Sequence, residues 1–240
     1  MRAKKSELII AGLRSPRLAL RYLRGLSPSE IGLDEIAKFL DSPSPVIVEA
    51  GAFDGVDTLR FAQRWPAGVV HAFEPVAELM VRVREKTKDC PNVRLHELAL
   101  VGDPSVDRTT LHVAASGEPN ASSSILAPGD HLSVFPDVDL AGSVTVPATT
   151  LDAWAESQAV TAVDLLWLDL QGAELMVLGQ GEHILRSTRV VHLEVSRRPL
   201  YEGSATWDAV RSFMQEHGFR QVLARVPFVM GNALFVRSGS

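Results

Sequence analysis

The sequence predicts an α/β fold, with a mostly parallel sheet flanked by helices and closed by an antiparallel hairpin. Three observations carry that expectation. From Val46 onward, short runs of branched apolar residues alternate with segments of helical period, the order that βαβ units produce. The first run, Val46–Ala50, leads into a turn that holds Gly51 and Gly55. Four of the runs end in or beside an acid, at Glu49, Glu74, Asp169 and Glu194. Buried parallel strands read as continuous apolar runs, and open α/β sheets bind ligands at the carboxyl ends of their strands. The four acids are therefore expected around one crevice.

Residues 6–24 read as a helix, broken near Gly12 to Pro16, with Leu18, Leu20 and Leu23 among arginines. Ser27 is the expected N-cap of a second helix running through Leu40, with Pro28 at its first position, where proline is favoured. Ser42-Pro-Ser-Pro45 ends it. The chain thus divides into an N-terminal helical extension, residues 1–44, and a main domain, residues 45–240. In the main domain Val46–Ala50 is the first strand. Asp57 is the expected N-cap of a helix over 57–64. Val69–Phe73 is the next strand, ending at Glu74-Pro75, followed by a helix over 76–87 and a strand over 93–98.

Residues 102–150 break the alternation. Segments 109–113 and 144–146 read as short strands around a long polar loop containing Ser122, Ser123 and Ser124. The two readings are a cover over the crevice and plain surface decoration. A loop this long in a compact domain is usually functional or mobile, which favours the first. A short helix over 151–154, a strand over 163–168 and a helix from Gly172 to about Leu185 follow. A strand over 190–194, a helix near 204–217 and a hairpin of 219–224 with 233–236 complete the chain.

Composition sets limits. The chain has 240 residues, 46% apolar and 22% charged, which is ordinary for a soluble globular protein with a buried core. The single cysteine, Cys90, excludes an internal disulfide framework and a cysteine-built zinc cluster. Seven basic residues against Glu7 give residues 1–25 a net +6, so the remainder carries −11 of the chain's −5. An acidic body argues against nucleic acid as a partner. The basic N-terminus suits anionic lipid, an anionic substrate or a partner subunit, which leaves a homodimer open. No apolar run approaches the ~20 residues a bilayer requires. The chain reads as cytoplasmic, with peripheral membrane contact through its first helix as an option.

The turn also bears on the cofactor. A dinucleotide site wants Gly-x-Gly-x-x-Gly, whereas here Glu49 is followed by Gly51 and Gly55 with Ala52 and Phe53 between. An acid ahead of the glycines repels a pyrophosphate and suits a cofactor with an ammonium and a sulfonium. Glu74 then stands where an acid accepts hydrogen bonds from ribose hydroxyls. No Gly-Lys-Ser/Thr phosphate loop is present.

At this point the residues resemble a known family. Val46 to Gly55, Phe73-Glu-Pro75 and the element order are similar to class I S-adenosylmethionine-dependent methyltransferases, which have a Rossmann-like, mostly parallel seven-stranded sheet. Thr150-Leu-Asp152 with Val163-Asp-Leu-Leu-Trp-Leu-Asp-Leu-Gln-Gly-Ala-Glu174 resembles the FkbM methyltransferase signature more narrowly, and Ser122 to Ser124, His192-Leu-Glu194 and Asn232-Ala-Leu-Phe235 fit it. The likeness covers about residues 45–237. Two positions depart from it: Trp167 stands at the family's usual lysine and Gln171 at its usual glutamate.

The resemblance implies transfer of a methyl group from S-adenosylmethionine to a hydroxyl of a sugar, oligosaccharide or glycosylated natural product. Expected cofactor contacts are Glu49, Gly51, Ala52, Asp54, Gly55, Thr58, Glu74, Pro75, Ala99, Ser124 and Asp169. Asp169 is the first choice for the reaction centre, with His192 and Glu194 as further catalytic candidates. His192 and Glu194 are two residues apart and so share one side of a strand. Trp167, Gln171, Glu174, Arg197, Arg198 and Tyr201 are expected at the acceptor. Asp169 and Glu194, oxygen ligands of the hard kind, are candidates for Mg2+, a placement similar to that in catechol O-methyltransferases. The competing readings are a nicotinamide-dependent oxidoreductase and a non-catalytic cofactor-binding or membrane-associated protein.

Overall fold

The computed structural model describes residues 27, 29–113, 122–135 and 142–239. The expected helix over 6–24, Pro28 and parts of the loop after residue 113 lie outside the described residues. Ten strands are described, and their order follows the apolar runs of the sequence. The strands are β1 (Val46–Ala50), β2 (Val69–Phe73), β3 (Val93–His96), β4 (Ala99–Leu100), β5 (Arg108–Val113), β6 (Gly142–Thr149), β7 (Leu165–Leu168), β8 (Val190–Ser196), β9 (Phe219–Arg225) and β10 (Met230–Arg237). Seven of them form one sheet in the order β3-β2-β1-β7-β8-β10-β9. All its pairings are parallel except those of β10 with β8 and β9. Strand order reverses between β1 and β7, which creates the crevice that α/β sheets use for ligands. The register levels the strand ends there, because Ala50 pairs with both Phe73 and Leu168, and Leu168 pairs with Leu193. A second, three-stranded sheet has the order β4-β6-β5.

Side-chain alternation along the strands separates two cores. Val48, Leu166, Leu168, Val191 and Leu193 face one side, where Trp154, Leu178 and Leu185 pack on them. Ile47, Leu165, Val190 and Leu234 face the other, covered by Phe61 and by Ile31, Ile36 and Leu40 from the N-terminal segment. That segment is tied down by polar contacts as well. Arg225 makes two 2.6 Å bonds to the Glu35 carboxylate, and Asn232 donates to the Ser29 carbonyl at 2.9 Å.

Several boundaries differ from the sequence expectation. The helix expected from Ser27 through Leu40 is short: α1 (Leu33–Ile36) followed by a 3-10 turn, Ala37–Phe39. Gly32 interrupts it, and its N–H is taken by Glu35 Oε2 at 3.1 Å. Helix α2 (Val56–Arg64) starts one residue early, after Gly55 at φ 78. Asp57 is therefore in the first turn and bonds Arg60 instead of capping, while Asp54 Oδ1 accepts the Val56 N–H at 3.1 Å. Helix α3 (Ala77–Lys86) follows β2, and the third strand stops at His96 rather than residue 98. Helix α4 (His131–Val134) and helix α5 (Leu151–Ser157) flank β6.

The single helix expected from Gly172 is two, α6 (Glu174–Gly179) and α7 (Glu182–Ser187). A Cβ at Gly181 would stand 2.7 Å from Leu151 Cδ2, so the break is where the backbone approaches α5 most closely. Asp152 caps the new helix start, its two oxygens accepting the His183 and Ile184 N–H groups at 2.9 Å each. Asp164 Oδ2 likewise accepts the Val46 N–H at 2.8 Å and fixes the start of β1. Asp152 and Asp164 are thus structural. Helix α8 (Trp207–Glu216) precedes the hairpin. Among the described residues, no helix is long and apolar enough to cross a membrane.

Asp152→Ala removes both caps of α7, and a lost cap costs about 0.5–2 kcal/mol. Urea unfolding of this variant should show a lower midpoint with an unchanged slope.

Candidate active site

A cavity of about 210 Å3 opens at the reversal of strand order. Ala50 at the end of β1 and Gly51 after it, Glu74 and Pro75 after β2, and Asp169 to Gln171 after β7 border it, with Ala99 and Leu111 from the smaller sheet and Ser123 to Ile125. Gly51 is required on two counts. Its φ is 92, and an added Cβ would overlap the Asp169 carbonyl oxygen. Glu74 is buried, and its carboxylate is held from both sides: Oε2 accepts the Phe53 N–H and Oε1 the Val76 N–H, each at 2.9 Å. Burial pushes its pKa up to about 7. Phe53, Phe73, Leu98 and Leu100 give the same cavity an apolar wall.

At the β7 and β8 ends an acid cluster is joined through one amide. Gln171 Nε2 donates to Asp169 Oδ1 at 2.9 Å and to Glu194 Oε2 at 2.8 Å. Gln171 itself is in the left-handed region, φ 52. Its Oε1 lies 3.0 Å from the Tyr201 hydroxyl, which is also 3.0 Å from the Ser122 carbonyl. Its backbone carbonyl accepts from Ser124 Oγ at 2.9 Å. The serine loop is therefore bonded to the acid cluster and lines the cavity. Glu174 turns back on its own segment, accepting the Leu170 N–H at 2.8 Å. Burial raises Asp169 above the ordinary carboxylate range. Burial, then the charges of Asp169 and Glu174, raises Glu194 further.

On the opposite face of the sheet lies a second, polar cleft of about 240 Å3. Trp167, His192, Glu194 and Asn232 form its floor, Asp57 and Arg60 of α2 one wall, and Ser27, Ser29, Glu30, Ile31 and Leu33 the other. His192 and Glu194 share a side of β8, as their spacing requires. His192 is 2% exposed, and among the described residues neither of its ring nitrogens has a partner. Its ring stacks on Trp167 at 3.5 Å. Burial pulls its pKa down to about 3, so the imidazole is neutral. Asp169 borders both this cleft and the first cavity.

Of the expected cofactor contacts, Gly51, Glu74, Pro75, Ala99, Ser124 and Asp169 line the first cavity, and Glu49, Ala52, Asp54, Gly55 and Thr58 do not. Glu49 points to α2, fully buried, and accepts from Thr58 Oγ1 at 2.6 Å. Its parity along β1 puts it with Ile47, away from the cavity. Gly55 is needed for packing, since a Cβ there would meet Val83, and Asp54 bonds Lys86 at 2.8 Å. Of the expected acceptor residues, Arg197 donates to the Val226 carbonyl at 3.1 Å, and neither it nor Arg198 borders either cavity. Trp167 borders the cleft and Gln171 the cavity. Tyr201 and Glu174 lie against a small pocket beside Glu194. Asp57, Arg60, Asn232 and the wall residues Ser27, Ser29, Glu30, Ile31 and Leu33 were not among the candidates. Asn232 faces Glu194 across the β8–β10 pairing, and only that register brings it in.

A family model described as the methyltransferase FkbM domain matches residues 49–221. The chain belongs to that family. The 2-O-methyltransferase NoeI of Sinorhizobium fredii (strain NBRC 101917 / NGR234) is 33% identical over 204 residues, 83% of this chain and 79% of its own. Solved structures overlay loosely. A fibrillarin/Nop5p complex gives a TM-score of 0.49 at 16% identity, covering 92% of this chain and 80% of that one. A SAM dependent methyltransferase from Aquifex aeolicus gives 0.45 at 12%, covering 94% and 95%.

The donor set does not fit the Mg2+ considered for Asp169 and Glu194. The Gln171 amide already bonds one oxygen of each. Among the described residues, no group of three or more His, Cys, Asp or Glu is placed to hold a metal ion.

Burial raises Glu49 to about 8 and Glu74 and Glu174 to about 7. The folded chain thus keeps protons that the unfolded chain releases, and stability is lost as pH rises through that range. His71, lowered to about 4, and His192, lowered to about 3, act oppositely, and stability falls as pH drops below their unfolded value. Above about pH 6.5 the imidazoles are neutral in both states and only the carboxyls act, so stability should fall from pH 6.5 to pH 8. Glu49→Gln keeps an acceptor for Thr58 and removes one titration. Urea midpoints at pH 6 and pH 8 should differ less in this variant than in the wild type.

Proposed function

We propose that this chain transfers a methyl group from S-adenosylmethionine to a hydroxyl of a saccharide or glycosylated molecule. The observation that carries the reading is that Asp169 borders both the cavity and the polar cleft. One carboxylate therefore reaches the place where a cofactor and an acceptor from opposite sides would meet. The name of the similar 2-O-methyltransferase supports oxygen as the methylated atom.

The residues of the cavity suit a nucleoside. The two oxygens of Glu74, each with one N–H bond, keep lone pairs for two ribose hydroxyls. Phe53, Phe73 and Leu100 suit the faces of a flat base. Gly51 lets the backbone approach the amino-acid end. The lining includes Glu74 and Asp169 and no lysine or arginine, so the pyrophosphate of a nicotinamide dinucleotide finds no counter-charge.

When bound, S-adenosylmethionine supplies a methyl activated by its sulfonium, and the sulfur keeps the electron pair of the broken C–S bond. The chain's own contribution is mostly positioning. Gln171 fixes Oδ1 of Asp169, and Oδ2 has no bond among the described residues. That oxygen accepts the hydroxyl proton as the new O–CH3 bond forms. The raised pKa brings Asp169 closer to the working pH of a general base. Glu194 and neutral His192 orient the acceptor from the cleft side.

Isothermal titration should detect S-adenosylhomocysteine and not NAD; binding of NAD alone would overturn the reading. Asp169→Asn should lower kcat by about 100- to 10,000-fold with little change in the Kd of S-adenosylhomocysteine. The acid limb of the wild-type pH profile should lie above the ordinary carboxylate range, because the base works only when ionised. Activity should survive dialysis against EDTA; loss restored by added Mg2+ would show that Asp169 and Glu194 hold a metal.

A further inference from the structure

Tyr201 stands apart from both openings. It is 2% exposed and borders neither the cavity nor the polar cleft. The pocket it does border measures about 20 Å3, room for a water and not for a sugar ring. Its ring lies 4.9 Å from the His131 imidazole. A Cβ at Gly172 would stand 3.1 Å from Tyr201 Cδ2, so that glycine keeps room for the ring. The backbone is pinned as well. Ser204 Oγ donates to the Tyr201 carbonyl at 2.8 Å, and a β-bridge ties Tyr201 to Pro128.

What this fixed ring delivers is one hydroxyl proton. Gln171 Oε1 and the Ser122 carbonyl both lie 3.0 Å from the hydroxyl. Both are acceptors, and a phenol has a single proton. Burial, then the charges of Glu194, Asp169 and Glu174, holds the phenol above its ordinary range, so the proton stays on it. Its direction follows from the other end of the amide, where Nε2 donates to both Asp169 and Glu194. Ionised acids draw on those N–H bonds, and hydrogen bonds in a chain polarise one another. Oε1 is then the more basic of the two oxygens and takes the proton.

That bond decides which way the amide faces. The two ends of a glutamine amide have nearly the same shape, so packing does not tell them apart. Turned over, the amide would set its oxygen against two carboxylates and remove both their donors. Among the described residues, only the Tyr201 hydroxyl donates to Oε1.

We propose that Tyr201 is a positioning residue for the Asp169 base, its hydroxyl holding the Gln171 amide with both N–H groups toward Asp169 and Glu194. It acts through Gln171 and does not touch the acceptor. Its meaning for catalysis rests on the methyltransferase reading. The other ionisable groups facing this chain of bonds are Glu49 of β1, Glu74 after β2, His131 of α4, Glu174 of α6 and His192 of β8, with Asp57, Arg60 and Glu30 across the cleft. None of them hydrogen-bonds the Asp169, Gln171 or Tyr201 side chain. The bonded route from Tyr201 to Asp169 therefore runs through the amide alone.

The test is NMR on the full chain, labelled at aspartate carboxyl carbons and glutamine side-chain nitrogens. Asp169→Asn and Gln171→Met assign the two signals. At about pH 8, where the acids are driven to ionise, the wild-type Gln171 amide protons should lie downfield of free glutamine and exchange slowly. Tyr201→Phe keeps the ring and removes the proton. The ionised state then loses its polarised bond, so the Asp169 midpoint should rise by about 0.5 pH unit or more. The Gln171 amide protons should exchange faster by about ten-fold or more. Gln171→Met should raise the midpoint too, because the amide bond lowers it, and adding Tyr201→Phe to that variant should shift it no further. An Asp169 midpoint unmoved by Tyr201→Phe, an equal shift with and without Gln171, or freely exchanging amide protons in the wild type each overturns the proposal. The last is read on the unaltered chain, so it holds even if a variant does not fold. These readings need neither cofactor nor acceptor. Failure of the wild type to bind S-adenosylhomocysteine would instead overturn the methyltransferase reading, and with it the catalytic role of Tyr201.

Discussion

Two half-buried carboxylates, one just after β7 and one on β8, must share a donor or keep a proton. Here the Gln171 amide supplies one N–H to Asp169 and one to Glu194. Much of the surrounding structure follows from that requirement. To reach both acids the Gln171 backbone turns left-handed, and Gly172 continues at φ 98, where an added Cβ would stand 2.8 Å from Ser204 Cβ. The amide oxygen is met by the Tyr201 hydroxyl and the backbone carbonyl by Ser124 Oγ. One side chain thus ties the serine loop, the turn after β7 and the segment after β8 to the acid pair. A glutamate at this position would add a third carboxylate and remove both donors. It would change the electrostatics of the cluster more than the shape.

The alternation of side chains along β1, β7 and β8 does the rest. One parity fills the core under α5 and α6 and leaves Ala50 and Gly51 at the cavity. The other parity carries Glu49, Trp167, His192 and Glu194 toward α2 and the segment that holds Ile31 and Leu33. The cavity and the polar cleft therefore lie on opposite faces of one sheet. They meet only beyond its edge, at Asp169, the residue that follows β7.

Fold class and element order were legible because the strands are short apolar runs and α2, α3 and α8 have helical period. Glu74 and Asp169 were legible because an acid after a buried strand has few places to go but the crevice. Glu49 looked equivalent, but it lies inside β1 rather than after it, so parity turns it to Thr58. The split between α6 and α7 depends on a close approach of Gly181 to Leu151, which no local pattern carries. Asn232 depends on the register of an antiparallel pair, and the wall with Ser29, Ile31 and Leu33 on packing across nearly 200 residues of chain, as the Arg225–Glu35 contact does. Arg197 and Arg198 have the residue type suited to acceptor contact, yet neither borders the cavity or the cleft, and Arg197 bonds the 226 carbonyl.

The central claim is that Asp169 stands between a cofactor on one face and an acceptor on the other. A crystal structure of the chain with S-adenosylhomocysteine tests it most directly. The account predicts ribose hydroxyls on the Glu74 carboxylate, the base against Phe53 and Leu100, and the sulfur on the Asp169 side of the cavity. Density for the nucleoside in the cleft lined by His192 and Asn232 would contradict it.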